Sequence, residues 1–321
     1  QYIQDTLKVD AAGKISISKK EKYKGGIYML VLPNKKYFEF IMDDIQQFSF
    51  ETDTADLVNN MKIKGSQENI LFYQYLSFIS SKQKEGEPLK KQLEKVKNNK
   101  DSTALIQKKT AAIDKEVADY KLKFAKDNPK TFAGKLLMAM NEIEVPTAPI
   151  LPNGRPDSTF SYRYYKAHFW DNIDFSDDRI LRSPVYHGKM IQYLNTLTVQ
   201  MPDSINKEID LLLENTKNTP ELYKYTAHTI TYTYETSKIM GFDAVFVHMV
   251  EQVYLPGRGV WLDSAQTAKI VNRGLTLKPL LLGAVAPELV LLDTLMNTRS
   301  LHRTKAKYTI CLLYTSDAAD E

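Results

Sequence analysis

The residue types that carry redox, nucleophilic or metal chemistry are scarce in this chain, and their spacing suits none of it. The single cysteine is Cys311, so residues 1–310 offer no disulfide, thiolate nucleophile or cysteine-ligated metal. The histidines are His168, His187, His228, His248 and His302, and no two stand in H-x-x-x-H or HExxH register. His248, between Val247 and Met249 on a predicted helix, is expected as a packed core side chain. Asp171, Asp174, Asp177 and Asp178 form an acidic run without the D-x-D-x-D-G spacing of a calcium loop. Helix capping and pairing with Arg179 or Arg182 account for that run better than a metal does. No G-x-S-x-G elbow is present. Two aromatic sets have helical spacing: Tyr162, Tyr164, Tyr165, Phe169 and Trp170, then Tyr223, Tyr225, Tyr232 and Tyr234. Such sets line a ligand groove or, more often, fill a core. Catalytic, cofactor-binding and metal-ligating residues are therefore all assigned as none, and no cofactor is expected.

Residues 311–321 (CLLYTSDAADE) resemble the translation of a transposon sequencing adapter. On that reading the natural protein departs from this sequence near Ile310, and Cys311 has no catalytic part. The chain also opens at Gln1 without a Met, in what reads as mid-strand, so a fragment cut at both ends is expected. Removing Asp317, Asp320 and Glu321 raises the formal charge from +4 to +7. Much of the excess lies in residues 82–130, with fourteen Lys against eight Asp or Glu. That stretch has no Arg and only Tyr120 and Phe124 as aromatics, which disfavours a nucleic-acid surface and favours a solvated helical pair.

The elements that would position any site fall into three regimes. Residues 1–64 read as a β domain: Ile15 and Ile17, Gly26–Leu32, Tyr37–Met42 and Gln47–Phe50 are strand-like, with turns at Ala12-Gly13, Gly25-Gly26, Pro33-Asn34 and Asp43-Asp44. A small antiparallel sheet or sandwich is expected. Residues 65–144 read as a helical hairpin. Ser66 caps its first helix, with Asn69 at the capping-box position, and Asp101 or Ser102 caps its second, which ends at Asn128-Pro129. The Pro-rich stretch 145–156 is a linker. Residues 157–280 form a mainly helical domain, with starts at Asp157 or Ser158, Pro184, Pro202, Pro220, Asp243 and Asp263 or Ser264. In 281–310, Ala286–Asp293 is strand-like, a turn follows at Met296-Asn297-Thr298, and a second strand starts at Lys307. The fold class is α+β. No run of eighteen apolar residues exists.

Gly283-Ala284-Val285-Ala286-Pro287-Glu288-Leu289, Asp293 and Ser300-Leu301 resemble the start of a thioredoxin-fold redoxin domain of the TlpA/ResA type. That family opens with G-x-x-A-P-x-[FL], a hairpin over a D-x-x-G turn and a [VS]-x-L step, before the strand leading to its C-x-x-C. Asn297-Thr298 replaces the hairpin glycine; Asn tolerates a left-handed backbone, so the turn is expected to survive. Lys36–Ile41 and Asn60–Ser66 resemble a β domain that precedes such redoxins in Bacteroidota-type bacteria. Leu151–Ser158, Asp171–Arg179 and Tyr234–Asp243 resemble the helical domain that follows it. These two modules are the domain-of-unknown-function families 4369 and 5106.

The resemblance implies the non-catalytic N-terminal part of an envelope thiol–disulfide oxidoreductase, periplasmic or anchored to the outer membrane. Its implied partner is an envelope client protein or a redox partner. No nucleic acid is expected, and membrane contact is expected only through an upstream anchor. Two rivals stay open: a binding module for a client protein or glycan, and the N-terminal part of a peroxiredoxin-like protein.

Overall fold

Gly26–Val31 (β1) and Tyr37–Met42 (β2) pair antiparallel, Gly26 against Met42 through Val31 against Tyr37, in a computed structural model that describes residues 3–96 and 99–310. Lys35 takes the left-handed position of their turn, with φ of 64°. Ser49–Glu51 (β3) and Lys62–Lys64 (β4) form a second antiparallel pair. Ile15 and Ile17 belong to no strand: residues 3–25 are irregular and mostly exposed, and Tyr23 is held by the Gln46 side chain rather than by a strand ladder. Gln1 and residues 311–321 lie outside the described residues.

Ser66 starts Gln67–Lys95 (α1) by accepting the Asn69 amide at 3.2 Å. Asn69 does not complete a capping box. Its side chain is fully buried and bonds β2 instead, taking the Ile41 N–H and giving to the Ile41 carbonyl, both at 2.7 Å. One amide thus stands in for a neighbouring strand. Helix α1 runs through Pro88. Its partner, Lys100–Asp127 (α2), is capped by Asn99 rather than Asp101 or Ser102, because the Asn99 Oδ1 reaches the Ser102 amide at 3.1 Å. Phe78 stacks on Tyr120 at 3.8 Å and Lys82 pairs with Glu116, so α1 and α2 run antiparallel.

A helix without a sequence expectation of its own follows, Phe132–Ala139 (α3), capped by Thr131. Phe132, Ala133, Leu136, Leu137 and Ala139 are all buried. One apolar cluster joins Phe38, Phe40, Ile41 and Met42 of β2 to Phe72, Tyr73, Phe124, Phe132 and Leu137. The strands and helical hairpin therefore share a core.

Residues 145–156 are irregular and mostly exposed, tied by an isolated bridge between Ile150 and Pro156. Beyond them come Phe160–His168 (α4), Val185–Gln192 (α5), Pro202–Thr216 (α6) and Pro220–Glu235 (α7). Helix α5 passes into a π-helical turn, Tyr193–Leu197. The chain divides within α7 into two compact units, residues 1–226 and 227–321. The second contains Asp243–Met249 (α8), a π-turn at Val250–Tyr254, and Ser264–Leu277 (α9). Asp263 and Gln266 form a full capping box on α9. Val290–Leu292 (β5) and Thr298–Ser300 (β6) then make a short antiparallel hairpin. The protein is mixed α+β, with helices predominating. No helix among the described residues is long and apolar enough to cross a membrane.

Candidate functional site

The acidic run folds onto a short 3-10 turn, Asp178–Arg182, capped by Asp177. The Asp177 carboxylate takes Arg179 through both Nε (2.8 Å) and Nη2 (2.6 Å), and Lys135 of α3 at 2.9 Å. Lys135 also holds Asp174 at 2.8 Å. Asp178 pairs with Arg182 and Asp171 with His168. Glu68 of α1 accepts the Phe132 and Ala133 amides at 2.7 and 3.2 Å, and Arg179 lies 3.8 Å from it, over the Phe132 ring. The start of β1 closes the other side. Arg182 Nε donates to the Gly25 carbonyl, and a Cβ on Gly26, whose φ is 144°, would fall 2.4 Å from the Arg182 Cβ. The expected use of these aspartates, capping and pairing with Arg179 and Arg182, is what the geometry contains.

Every carboxylate here is engaged, so the arrangement fixes segments rather than moving protons. Burial alone raises the Asp177 pKa, but the hydrogen bonds from Arg179 and Lys135 outweigh it and bring it down to about 2. A folded-state pKa below the unfolded value gives stability that is present above pH ~4 and lost as pH falls through about 2. The difference is worth ~2 kcal/mol. Asp177→Asn is expected to lower stability at neutral pH and to flatten the acid limb between about pH 4 and 2. Parallel acid limbs in urea titrations would contradict this.

Beside this node, Ala125, Pro129, Met138 and Ile173 floor an open cleft of about 230 Å³ with Lys135, Asp171, Asn172 and Asp174 at its lip. It contains no unpaired cation, since Lys135 is held twice.

The first aromatic set is core only at its end, with Tyr164 and Tyr165 half-buried. Phe169 and Trp170 are buried and pack edge-on at 5.0 Å, with Tyr193 stacked on Phe169. Tyr193 donates to Glu208, which Lys166 holds at 2.7 Å, and the buried Tyr186 shares a 2.6 Å hydrogen bond with Thr226. Burial raises the Tyr186 and Tyr193 phenols well above their usual range. Tyr162 alone of the set is exposed, its hydroxyl donating to the Leu197 carbonyl. Of the second set Tyr234 is buried and Tyr232 exposed. His248 is half-buried. Among the described residues no three His, Cys, Asp or Glu side chains converge on a metal position.

The hairpin β5–β6 is built differently. Asp293 organises its turn, accepting the Leu295 and Asn297 amides at 2.9 Å each and pairing with Arg299 at 3.0 Å. The left-handed residue is Met296, with φ of 63°, not Asn297; the carboxylate that gathers these amides sets the position. Val290, Leu291 and Leu292 remain 57%, 58% and 59% exposed, so both faces of β5 are open. Lys307–Ile310 form no strand, because no neighbour offers a ladder.

The span from α2 to α9, which carries the acidic node and both aromatic sets, matches a family model over residues 91–274, more than half the chain; the family is described as a domain of unknown function, DUF5106. The chain belongs to the DUF5106 family. No curated protein matches it. Among solved structures, a thioredoxin-like protein from Bacteroides caccae is similar over 51% of this chain and 59% of its own, at 14% identity and a TM-score of 0.35. The DUF5106 chain thus spans less than two thirds of that protein. The β5–β6 hairpin lies outside the matched DUF5106 residues.

Proposed function

We propose that this DUF5106 chain is the non-catalytic N-terminal part of a cell-envelope thiol–disulfide oxidoreductase, and that β5–β6 begins its C-x-x-C domain. The carrying observation is the hairpin: a turn fixed by Asp293, with three consecutive strand residues open on both faces. A two-stranded hairpin is marginal alone in water, and covering one such side chain is worth roughly 1.5–3 kcal/mol. A thioredoxin-like sheet supplies that cover. The resemblance of Gly283–Leu289 and Ser300-Leu301 to a redoxin start supports the same reading. In it, the attacking thiolate and its resolving partner lie in the following domain, and residues 1–310 position it or present an envelope client. The periplasmic or outer-membrane-anchored location belongs to this proposal.

Purified 1–321 is expected to reduce no insulin disulfides beyond a free-thiol background; turnover surviving Cys311→Ser would contradict the reading. Amides of 289–292 are expected to exchange within seconds, while those of Ile205, Ile209 and Leu212 on α6 stay protected. Equal protection would show that the hairpin needs no further sheet.

A further inference from the structure

Midway along α1, Lys82 pairs with Glu85 and Glu116 and Lys84 with Asp56, and closer to its end Lys91 pairs with Glu87. Other lysines among the hairpin's described residues have no such partner. Among the described residues Lys90, Lys95, Lys100, Lys108 and Lys109 form no ion pair. Between the ends of the two helices lies an open cleft of about 300 Å³, lined by Gln92, Lys95, Val96, Ser102, Leu105, Ile106 and Lys109. Its floor is aliphatic, Leu105 being 57% exposed, and two free ammonium groups rim it. Helices of 29 and 28 residues place this end roughly 40 Å from their other end.

We propose that this cleft is a contact site for an anionic lipid surface, Lys95 and Lys109 meeting headgroup phosphates while Val96 and Leu105 enter the acyl boundary. Aliphatic floor and cationic rim match an anionic amphiphile in both parts. Lysine stems carry their charge to the rim while covering apolar surface. Residues 82–130 contain lysine and no arginine. Point-charge attraction to a diffuse anionic layer needs no forked bidentate donor, whereas specific docking on a protein carboxylate or a nucleic acid favours arginine. No described helix spans a bilayer, so the contact is peripheral. The site is independent of the redoxin reading.

The test is co-sedimentation of the whole chain with phosphatidylcholine vesicles, with and without about one-third phosphatidylglycerol. Binding is expected only with phosphatidylglycerol and is expected to weaken in high salt. Lys95→Glu with Lys109→Glu should reduce it about tenfold, and Leu105→Asp should reduce it at unchanged net lysine count. Lys14→Glu with Lys20→Glu, an equal change in charge on exposed residues elsewhere, should alter it less than about twofold. All three variants are at exposed positions, so melting curves should match the parent. No binding, equal loss in the control pair, or retention of RNA or an acidic protein in place of vesicles would overturn the proposal.

Discussion

Arg179→Ala is expected to lower the melting temperature of the unit formed by residues 1–226 by roughly 6–12 °C. Arg179 is the one cation that grips Asp177 with two nitrogens, approaches Glu68 and covers the Phe132 ring. Its removal leaves the Asp177 carboxylate, 9% exposed, with Lys135 and an amide. Taking one partner from such a pair costs about 3 kcal/mol, more than the pair contributes over an apolar substitute, because the remaining charge keeps its desolvation. Arg179→Lys should recover less than about half of the loss, since an ammonium cannot fork onto the carboxylate. Calorimetry of both variants checks this. A shift below about 2 °C for the alanine variant would mean that the node is solvated and contributes little.

Gly134→Ala is expected to cost about 3 kcal/mol, while Gly188→Ala, also within a helix, should be neutral or stabilising by up to ~1 kcal/mol. A Cβ on Gly134 would stand 2.0 Å from the Asn128 carbonyl oxygen and 3.1 Å from the Thr131 hydroxyl. Both atoms are committed: the Asn128 carbonyl accepts from the Thr131 hydroxyl, and that hydroxyl caps the Gly134 amide. The turn that aims α3 at the core cannot yield without losing them. A Cβ on Gly188 meets nothing within 4 Å. Urea unfolding of the two variants should give opposite signs. Equal small effects would show that the 128–134 turn relaxes freely.

Helix starts are legible where one side chain meets one local amide, as at Ser66 and Asp263, or where a proline takes the first turn, as at Pro202 and Pro220. The caps expected at Asp101 or Ser102 and at Asp157 or Ser158 fall instead on Asn99 and Thr159, and Asp243 lies inside its helix behind Phe242. The α+β class and the pairing of the aspartates with Arg179 and Arg182 followed from similarly local signals. Helix α3 did not: Phe132–Ala139 has Lys135 as its one charged residue, and a short, largely buried helix lacks the periodicity that marks an amphipathic one. Asn69 stands at the capping-box position, whereas its amide serves β2 across 28 positions of sequence. Ile15 and Ile17 alternate as a strand does but have no partner strand. The turn at 293–298 was expected from its composition, yet the left-handed backbone falls on Met296, one residue before Asn297. Register in so short a turn follows from which amides the carboxylate gathers, and composition does not record that.

Longer native coding sequence tests the central claim most directly. Long-read sequencing of the source locus should be carried through codon 310 and onward. The account predicts that the frame continues from Ile310 as a strand and reaches C-x-x-C within about fifteen residues, as the proposed redoxin start at 286–302 implies for a thioredoxin-type site. A lone cysteine in a P-x-x-x-[TS]-x-x-C setting would make the parent a peroxiredoxin. An in-frame stop, or a continuation without cysteine, would contradict the account and leave the DUF5106 chain as a binding module.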